Sequence, residues 1–447
     1  MGTGIAFDVR PPQEPEMSRM VRRREFIGKA ASATMVPFLM GKGMGIAQGN
    51  HSYSSPGLPE GMSKGIMIGE KYEVPTFSKE EFKRRWQALQ RLMTSQQIDS
   101  LLILSPPDLR YVANLANGRT EEYYCLLPQK GDPSLFIPWG ELYCYMTDIS
   151  PVPEIVNAGI AAVVKKIKDL GLEKSTLGVA SLQEIRHNTY ASLQKELPEA
   201  SFVEASEIMV TCCRVRSEPE IAFFRKSQEI GEKAFSAMVN AAKPGVTDKE
   251  VLSACVGTLI SAGADMNTMI MYNHSHWPNP RPDTTHFAYP YHTGTTERKL
   301  QKGDIVGFEL YSSYGGYYSD ICLPISIGKP SPDYVERFEL SKGMIRVARD
   351  LLRPGSTQAD LDAKLSEYVY SQLKRKIDIY TDFKNMVPFP RSMEDTKVRV
   401  IQPGMVFVLA PTSFWDRGPN HCCGETYLTT EGAAERLGSL PTEIAVV

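Results

Sequence analysis

The segment between residues 273 and 286 concentrates side chains that can bind a ligand or move a proton. It carries three histidines, including His286, together with Trp277, Arg281 and several prolines. The guanidinium of an arginine forms a planar fork of donors that pairs with a carboxylate through two parallel hydrogen bonds. We therefore predict that Trp277, Arg281 and His286 bind substrate on this Pro-rich loop. The alternative is a solvated loop without a ligand.

The thiols offer one further candidate for chemistry. The chain has eight cysteines in 447 residues, too few for a small domain held together by disulfides. Four of them form the adjacent pairs Cys212-Cys213 and Cys422-Cys423, and adjacent cysteines rarely bridge each other. We expect most of these thiols to be buried as small hydrophobic groups. Only the cluster from His421 to Cys423 is a candidate ligand or redox group.

The elements that position these residues begin with an α/β region. Apolar side chains recur at helical spacing over residues 78–98, and 100–104 is a short apolar run typical of a buried strand. Residues 106–108 predict a turn. Further strands and one helix follow, at about 124–127, 135–138, 158–169 (the helix) and 177–180. The pattern predicts an α/β domain over residues 76–212.

The second half of the chain repeats one arrangement of elements. A helix over 217–242 is interrupted at Pro244-Gly245 before a second helix begins, and helices at about 334–352 and 358–374 are separated by Pro354-Gly355. Strand patterns follow each helix pair, at 304–309, 316–321, 405–409 and 424–429. We expect the tyrosines between 311 and 318 to pack in a sheet. We infer an internal duplication within a domain spanning residues 213–447.

Composition excludes several classes of protein. The chain has 50 Lys and Arg against 52 Asp and Glu, a net charge of −2, which provides no electrostatic footprint for a nucleic acid partner. No run of about 20 apolar residues is present, so the chain is not a polytopic membrane protein. Ordinary hydrophobic and charged fractions, 42% and 23%, favour a folded globular protein.

The N-terminus has the pattern of an export signal. Three arginines at 22–24 are followed by Glu-Phe-Ile, and then by a weakly apolar stretch of small residues that ends near Ala47. This order resembles a twin-arginine signal, whose cargo is exported already folded. We predict a signal peptide over residues 1–47, a leader loop over 48–75, the twin-arginine export machinery as a partner, and a periplasmic or extracellular protein.

The order of several motifs resembles the creatinase/prolidase/aminopeptidase P family. They are Ser105-Pro-Pro-Asp108-Leu-Arg-Tyr111, a His followed eleven residues later by Gly-Asp (His292 and Gly303-Asp304), Gly316-Tyr317 with Asp320, Pro-Gly-Met-Val-Phe at 403–407, and Glu425 with Leu428, Thr429 and Gly432. The resemblance covers about 80–440. It implies a mixed α/β (α+β) fold: an N-terminal creatinase-type α/β domain, then a pseudo-two-fold "pita-bread" catalytic domain. A homodimer is also implied.

Family peptidases bind two divalent metals with two Asp, one His and two Glu, and this set carries over only in part. The resemblance places metal ligands at Glu309, Asp320 and Glu425. No histidine occurs at 378–382, where the His ligand is expected, and Ala410 occupies the position of the fourth ligand. His421 is a candidate replacement. We therefore expect no metal cofactor, the alternative being a rebuilt site for Mn, Zn, Fe or Co.

The resemblance assigns His292 the role of the family's proton-shuttling histidine. Creatinase has itself lost metal ligands, and it uses that histidine with nearby carboxylates that hold a guanidinium group. We therefore predict a hydrolase that cleaves a C–N bond of a small cationic or amide substrate, with His292, Glu309 and Glu425 as catalytic residues. The alternatives are an Xaa-Pro metallopeptidase acting on short peptides, a non-catalytic binding protein, and a lyase acting on an onium compound.

Overall fold

The structure is a computed structural model, and eleven stretches of the chain are described in it. They are residues 62–67, 73–115, 123–265, 269–276, 285–289, 299–374, 379–380, 383–385, 400–415, 418–421 and 423–447. The predicted signal peptide and most of the leader loop lie outside these residues. Among the described helices, none is both long and apolar enough to cross a bilayer.

The N-terminal domain follows a two-stranded antiparallel pair, β1 (Met62–Met67) and β2 (Glu73–Phe77). It contains a six-stranded mixed sheet in the order β6-β5-β4-β3-β7-β8. The strands are β3 (Ser100–Ile103), β4 (Tyr124–Pro128), β5 (Ser134–Phe136), β6 (Glu154–Val156), β7 (Thr176–Ala180) and β8 (Ser201–Glu204). The helices are α1 (Lys79–Ser95), α2 (Pro106–Ala113), α3 (Gly140–Ile149), α4 (Ile160–Asp169), α5 (His187–Glu196) and α6 (Ser206–Arg214). The predicted α/β architecture is thus confirmed.

One local prediction was wrong, because the turn expected at residues 106–108 is the first turn of α2. Two prolines open this helix, where a fixed φ angle and a missing N–H group cost nothing. The Ser105 hydroxyl donates to Asp108 Oδ2 at 2.5 Å, which ties the residue before the helix to its first turn.

The C-terminal domain contains the repeated helix pair that the sequence predicts. The first pair is α7 (Glu218–Ala241) and α8 (Asp248–Ser261), and the second is α9 (Pro332–Leu351) and α10 (Gln358–Leu373). The helices α7, α8 and α10 begin at capping boxes, which satisfy backbone N–H groups at a helix start.

Two main sheets follow the helix pairs. The first has the order β10-β9-β11-β13-β21 with β12 paired to β11; the second has the order β15-β16-β19-β20; a small third sheet has the order β14-β17-β18. The strands are β9 (Met269–His276), β10 (Thr285–Tyr289), β11 (Asp304–Tyr314), β12 (Tyr317–Ile321), β13 (Ile325–Ser326), β14 (Ile379–Tyr380), β15 (Phe383–Asn385), β16 (Val406–Leu409), β17 (Thr412–Trp415), β18 (Gly418–His421), β19 (Glu425–Leu428), β20 (Glu435–Arg436) and β21 (Ala445–Val446).

The hairpin of β11 and β12 turns through two glycines. Gly315 and Gly316 have φ angles of 59° and 86°, the left-handed values that a two-residue hairpin turn requires. A Cβ atom at Gly315 would lie 2.3 Å from the ring of Phe223. The turn therefore lets α7 approach the hairpin closely.

A buried ion cluster joins the N-terminal domain to this hairpin. Arg85 of α1 is 1% exposed. Its guanidinium donates to Glu81 at 2.9 Å, to the carbonyl of Tyr111 at 3.1 Å and to the hydroxyl of Tyr317 at 3.1 Å. The Tyr317 hydroxyl in turn donates to Glu220 of α7 at 2.9 Å. Elements from both domains therefore meet at one charged group.

Candidate functional site

Two of the predicted carboxylates lie on one face of the β11–β12 hairpin. Tyr311 of β11 is paired with Asp320 of β12, and cross-strand partners project on the same side of a sheet. Glu309 lies two residues before Tyr311, so it shares that side as well. Asp320 is 1% exposed, whereas Glu309 is half-buried. The hydroxyl of Tyr311 donates to Glu309 Oε2 at 3.2 Å.

The opposite face of the hairpin is covered by α7. The Ser227 hydroxyl donates to the carbonyl of Ser312 at 2.6 Å and lies 3.2 Å from the hydroxyl of Ser319. A Cβ atom at Gly231 would lie 2.7 Å from Ile321. Because α7 occupies this side, Glu309, Tyr311 and Asp320 must face away from it. We call their side the acidic face.

The two main sheets meet at a closed seam beside the acidic face. Cys322, two residues after Asp320, accepts a backbone hydrogen bond from Gly424 at 2.8 Å. A Cβ atom at Gly424 would lie 2.9 Å from Cys322 Cβ and 3.0 Å from Ala410 Cβ. Ala410 is 0% exposed. The seam therefore places the small apolar side chain of Ala410 beside the acidic face.

Glu425 lies on the other side of the second sheet. It is paired with Leu409, so its side chain alternates away from that of Ala410. Its carboxylate accepts hydrogen bonds from the hydroxyls of Tyr427 and Thr442 and lies 3.4 Å from the guanidinium of Arg436. The Glu425 side chain therefore does not share the acidic face with Glu309 and Asp320, although Glu425 and Asp320 both line a small cavity beside α7.

The surroundings of Tyr427 reflect the carboxylate beside it. Burial raises the pKa of the Tyr427 phenol, and the hydrogen bond to Glu425 and the negative charge of that carboxylate raise it further. The charge of Glu425 also raises the pKa of Arg349 on α9, although the larger cause there is the contact with Asp350. Glu425 therefore lies on the side of the second sheet that α9 covers, which we call its helix-covered side.

Several predicted site residues lie wholly or partly outside the described part of the chain. His292, Trp277 and Arg281 fall outside it. His286 is described in its backbone alone, on β10, where the pairing through β9 places it level with Phe308, one residue before Glu309. His421 is described likewise on β18, opposite Thr412. Their assignments stay predictions.

The described donors do not fit a two-metal carboxylate centre. Two carboxylates share the acidic face, and the seam residues Ala410 and Gly424 contribute no oxygen ligand from their side chains. Among the residues whose side chains are described, no group of three or more His, Cys, Asp or Glu is arranged to hold a metal ion. Hard divalent cations such as Mg²⁺ and Mn²⁺ depend on several oxygen ligands.

Sequence reasoning missed the hydrogen bond from Tyr311 to Glu309, because we expected the tyrosines of this segment to pack in the sheet. The sequence could have revealed this contact, because residues i and i+2 of a strand share a face. Tyr311 follows Glu309 by two residues, so its phenol lies beside the carboxylate. The seam was also missed, since it depends on the pairing of distant strands.

Comparison with known proteins assigns both halves of the chain. The family model "Creatinase/Prolidase N-terminal domain" matches residues 85–215, and the model "Metallopeptidase family M24" matches residues 222–433. Creatinase from Bacillus sp. (strain B-0618) is 25% identical over 312 residues, covering 67% of this chain and 73% of that protein. The probable dipeptidase PepE of Mycobacterium tuberculosis is 24% identical over 391 residues, covering 83% and 98%.

Solved structures share the fold. Dipeptidase PepE from Mycobacterium ulcerans superposes with a TM-score of 0.68 at 21% identity, covering 83% of this chain and 99% of that one. An Xaa-Pro dipeptidase from Bacillus anthracis has a TM-score of 0.67 at 20% identity, covering 82% and 100%. At these identities the likeness establishes the architecture of the chain.

Proposed function

This chain belongs to the creatinase/prolidase group of family M24 hydrolases, and from that premise we propose that it is a creatinase-like enzyme. Its substrate is a small cationic or amide compound, and the reaction hydrolyses a C–N bond. His292 is the general acid and base, and Glu309 and Asp320 hold the positive group of the substrate.

The single observation that carries this proposal is the composition of the acidic face. Glu309 and Asp320 share one side of the hairpin, and the neighbouring seam presents buried Ala410 instead of a third carboxylate. Two carboxylates close together repel each other unless a cation neutralises them. A substrate with a guanidinium, amine or other onium group supplies that cation in the absence of a full set of metal ligands.

His292 provides the proton transfers that C–N hydrolysis needs. An imidazole changes its charge near neutral pH, so it both accepts a proton from water and returns one to a leaving nitrogen. Support for this assignment comes from the spacing of His292 to Gly303-Asp304 and from a creatinase among the relatives. Trp277, Arg281 and His286 are proposed to bind the remainder of the substrate.

We further propose that the enzyme works as an exported homodimer without a divalent metal. The export proposal rests on the arginines at 22–24 and the apolar stretch behind them. The twin-arginine machinery would then be its transport partner, and the protein would act in the periplasm or outside the cell.

Elemental analysis of the full chain, purified without chelator, tests the metal assignment. We expect no stoichiometric Mn, Zn, Fe or Co. Two equivalents of metal per chain would overturn the proposal and favour the alternative of an Xaa-Pro metallopeptidase, since Xaa-Pro dipeptidases are among the relatives of this chain. That alternative requires His421 or another group to complete the ligand set.

A substrate screen with guanidino, betaine-like and amide compounds tests the chemistry. His292→Gln should abolish turnover, whereas His187→Gln should not, because His187 is an exposed residue of the N-terminal domain. Turnover that survives in the His292 variant would refute the assigned acid and base. Tight binding without turnover in the unaltered chain would instead favour a binding protein, and elimination products would favour a lyase.

A further inference from the structure

Tyr311 has the position and the contact of a residue that controls Glu309. It is 7% exposed, lies directly opposite Asp320 and donates a hydrogen bond to Glu309 Oε2 at 3.2 Å. Both carboxylates of the acidic face are therefore its immediate neighbours. The hydroxyl of a buried tyrosine is a rigid donor, since its ring has few rotamers and packs against surrounding side chains.

Glu309 needs such a donor more than a shorter carboxylate would. A glutamate that is fixed in one conformation loses the rotamer freedom of its long side chain. Glu309 is half-buried, so its neighbours restrict it less than those of Asp320, which is 1% exposed. A hydrogen bond from a rigid phenol offsets part of this entropy before any ligand arrives, which is the general effect of preorganisation on affinity.

We propose that Tyr311 is a positioning residue, whose hydroxyl holds the Glu309 carboxylate in place to receive the positive group of the substrate. This inference rests on the proposed function, since it assumes that the acidic face binds a cation. It assigns to Tyr311 a role beyond packing and makes Glu309 and Tyr311 one functional unit.

A double-mutant cycle on the full chain tests the inference. Binding of creatine and of guanidinium ion would be measured by titration calorimetry for the unaltered chain, Tyr311→Phe, Glu309→Gln and the double variant. Tyr311→Phe keeps the ring and removes the hydroxyl, and we expect about tenfold weaker binding, in line with the worth of a hydrogen bond to a charged group. Glu309→Gln should weaken binding at least as much, and adding Tyr311→Phe to it should have no further effect.

Two further variants separate positioning from general damage. Tyr314→Phe removes a hydroxyl from the same strand on the α7 side, where the ring lies 5.1 Å from that of Phe223, and it should bind like the unaltered chain. Glu309→Asp shortens the side chain by one methylene group and should weaken binding as Tyr311→Phe does. Thermal unfolding of each variant verifies that the fold is intact.

The outcomes distinguish the inference from the function beneath it. Normal binding by Tyr311→Phe together with lost binding by Glu309→Gln overturns the positioning role and leaves the proposed function standing. Additive losses in the double variant also overturn it, because Tyr311 would then act independently of Glu309. Normal binding by Glu309→Gln, or no binding of either probe by the unaltered chain, overturns the proposed function and the inference with it.

Discussion

Replacing Arg85 with methionine should lower the free energy of unfolding by about 3–5 kcal/mol, the range for removing one partner of a buried ion pair. Arg85 is 1% exposed, and its guanidinium connects α1 to α2 and to β12 through two hydrogen bonds and donates a third to Glu81 within α1. It also lies 3.8 Å from the carboxylate of Glu220 and 4.2 Å from the centre of the Phe77 ring. Methionine preserves most of the apolar volume and removes the charge.

The loss should stay within this range because both carboxylates keep other hydrogen-bond donors when Arg85 is removed. Glu81 keeps two hydrogen bonds from Arg84, at 2.7 and 2.8 Å. Glu220 keeps those from Tyr317 and from the backbone and hydroxyl of Ser217. Each carboxylate would be left with less compensation for its burial, but neither would lose every partner.

The loss should depend on pH in a defined direction. Burial tends to raise the pKa of Glu81, but the hydrogen bonds of Arg84 and the charge of Arg85 outweigh it and leave the pKa below its ordinary value of 4.5. A lowered carboxyl pKa adds stability above the unfolded value, and this stability disappears as the pH falls through the folded value. The cost of Arg85→Met should therefore be full at pH 7 and should shrink as the pH falls below about 4, near the unfolded pKa of a glutamate.

Urea unfolding followed by tryptophan fluorescence measures this cost at pH 7 and near pH 3, below the unfolded pKa of a glutamate. Arg91→Met is the matched control, since Arg91 is an exposed residue of the same helix, and it should change the free energy by less than about 0.5 kcal/mol. A cost below 1 kcal/mol for Arg85→Met, or a cost that grows in acid, would refute the reasoning.

Three other changes have expected outcomes. Ala410→Glu should give no Xaa-Pro cleavage in the presence of Mn²⁺ or Co²⁺, because no histidine occurs at 378–382, where the His ligand is expected. The variant should also be less stable, because position 410 is fully buried. Cleavage of an Xaa-Pro dipeptide by this variant would contradict the ligand argument. Glu425→Gln should lower the free energy of unfolding by about 1–3 kcal/mol. It should preserve turnover, since the partners of Glu425 lie on the helix-covered side of the second sheet. Lost turnover at unchanged stability would instead place Glu425 in the site. Gly231→Ala should lower the free energy of unfolding by about 1–3 kcal/mol, because the new methyl group overpacks against Ile321. Gly257→Ala places its methyl group with no atom within 4 Å and should instead stabilise α8 by up to about 1 kcal/mol. Thermal unfolding compares the two variants, and equal shifts in their melting temperatures would contradict the packing argument.

Local patterns in the sequence were sufficient to predict the helices and strands and the repetition of the helix pair. The helix predicted over 217–242 is α7, and the pair predicted at 334–352 and 358–374 is α9 and α10, each within two residues at its ends. Helical spacing, capping residues and Pro-Gly breaks act within a few residues of one another, so they are readable without the fold. The same holds for the motifs from which we inferred the family.

Only the tertiary structure decided which side chains meet. Glu425 is close to the seam in sequence, but the pairing with Leu409 turns it to the helix-covered side, and a shift of one residue in that pairing would have reversed its direction. Likewise, Glu81, Arg85, Glu220 and Tyr317 form one cluster although they come from both domains. Such contacts depend on strand register and on helix packing between distant segments, and no local pattern in the chain specifies either of them.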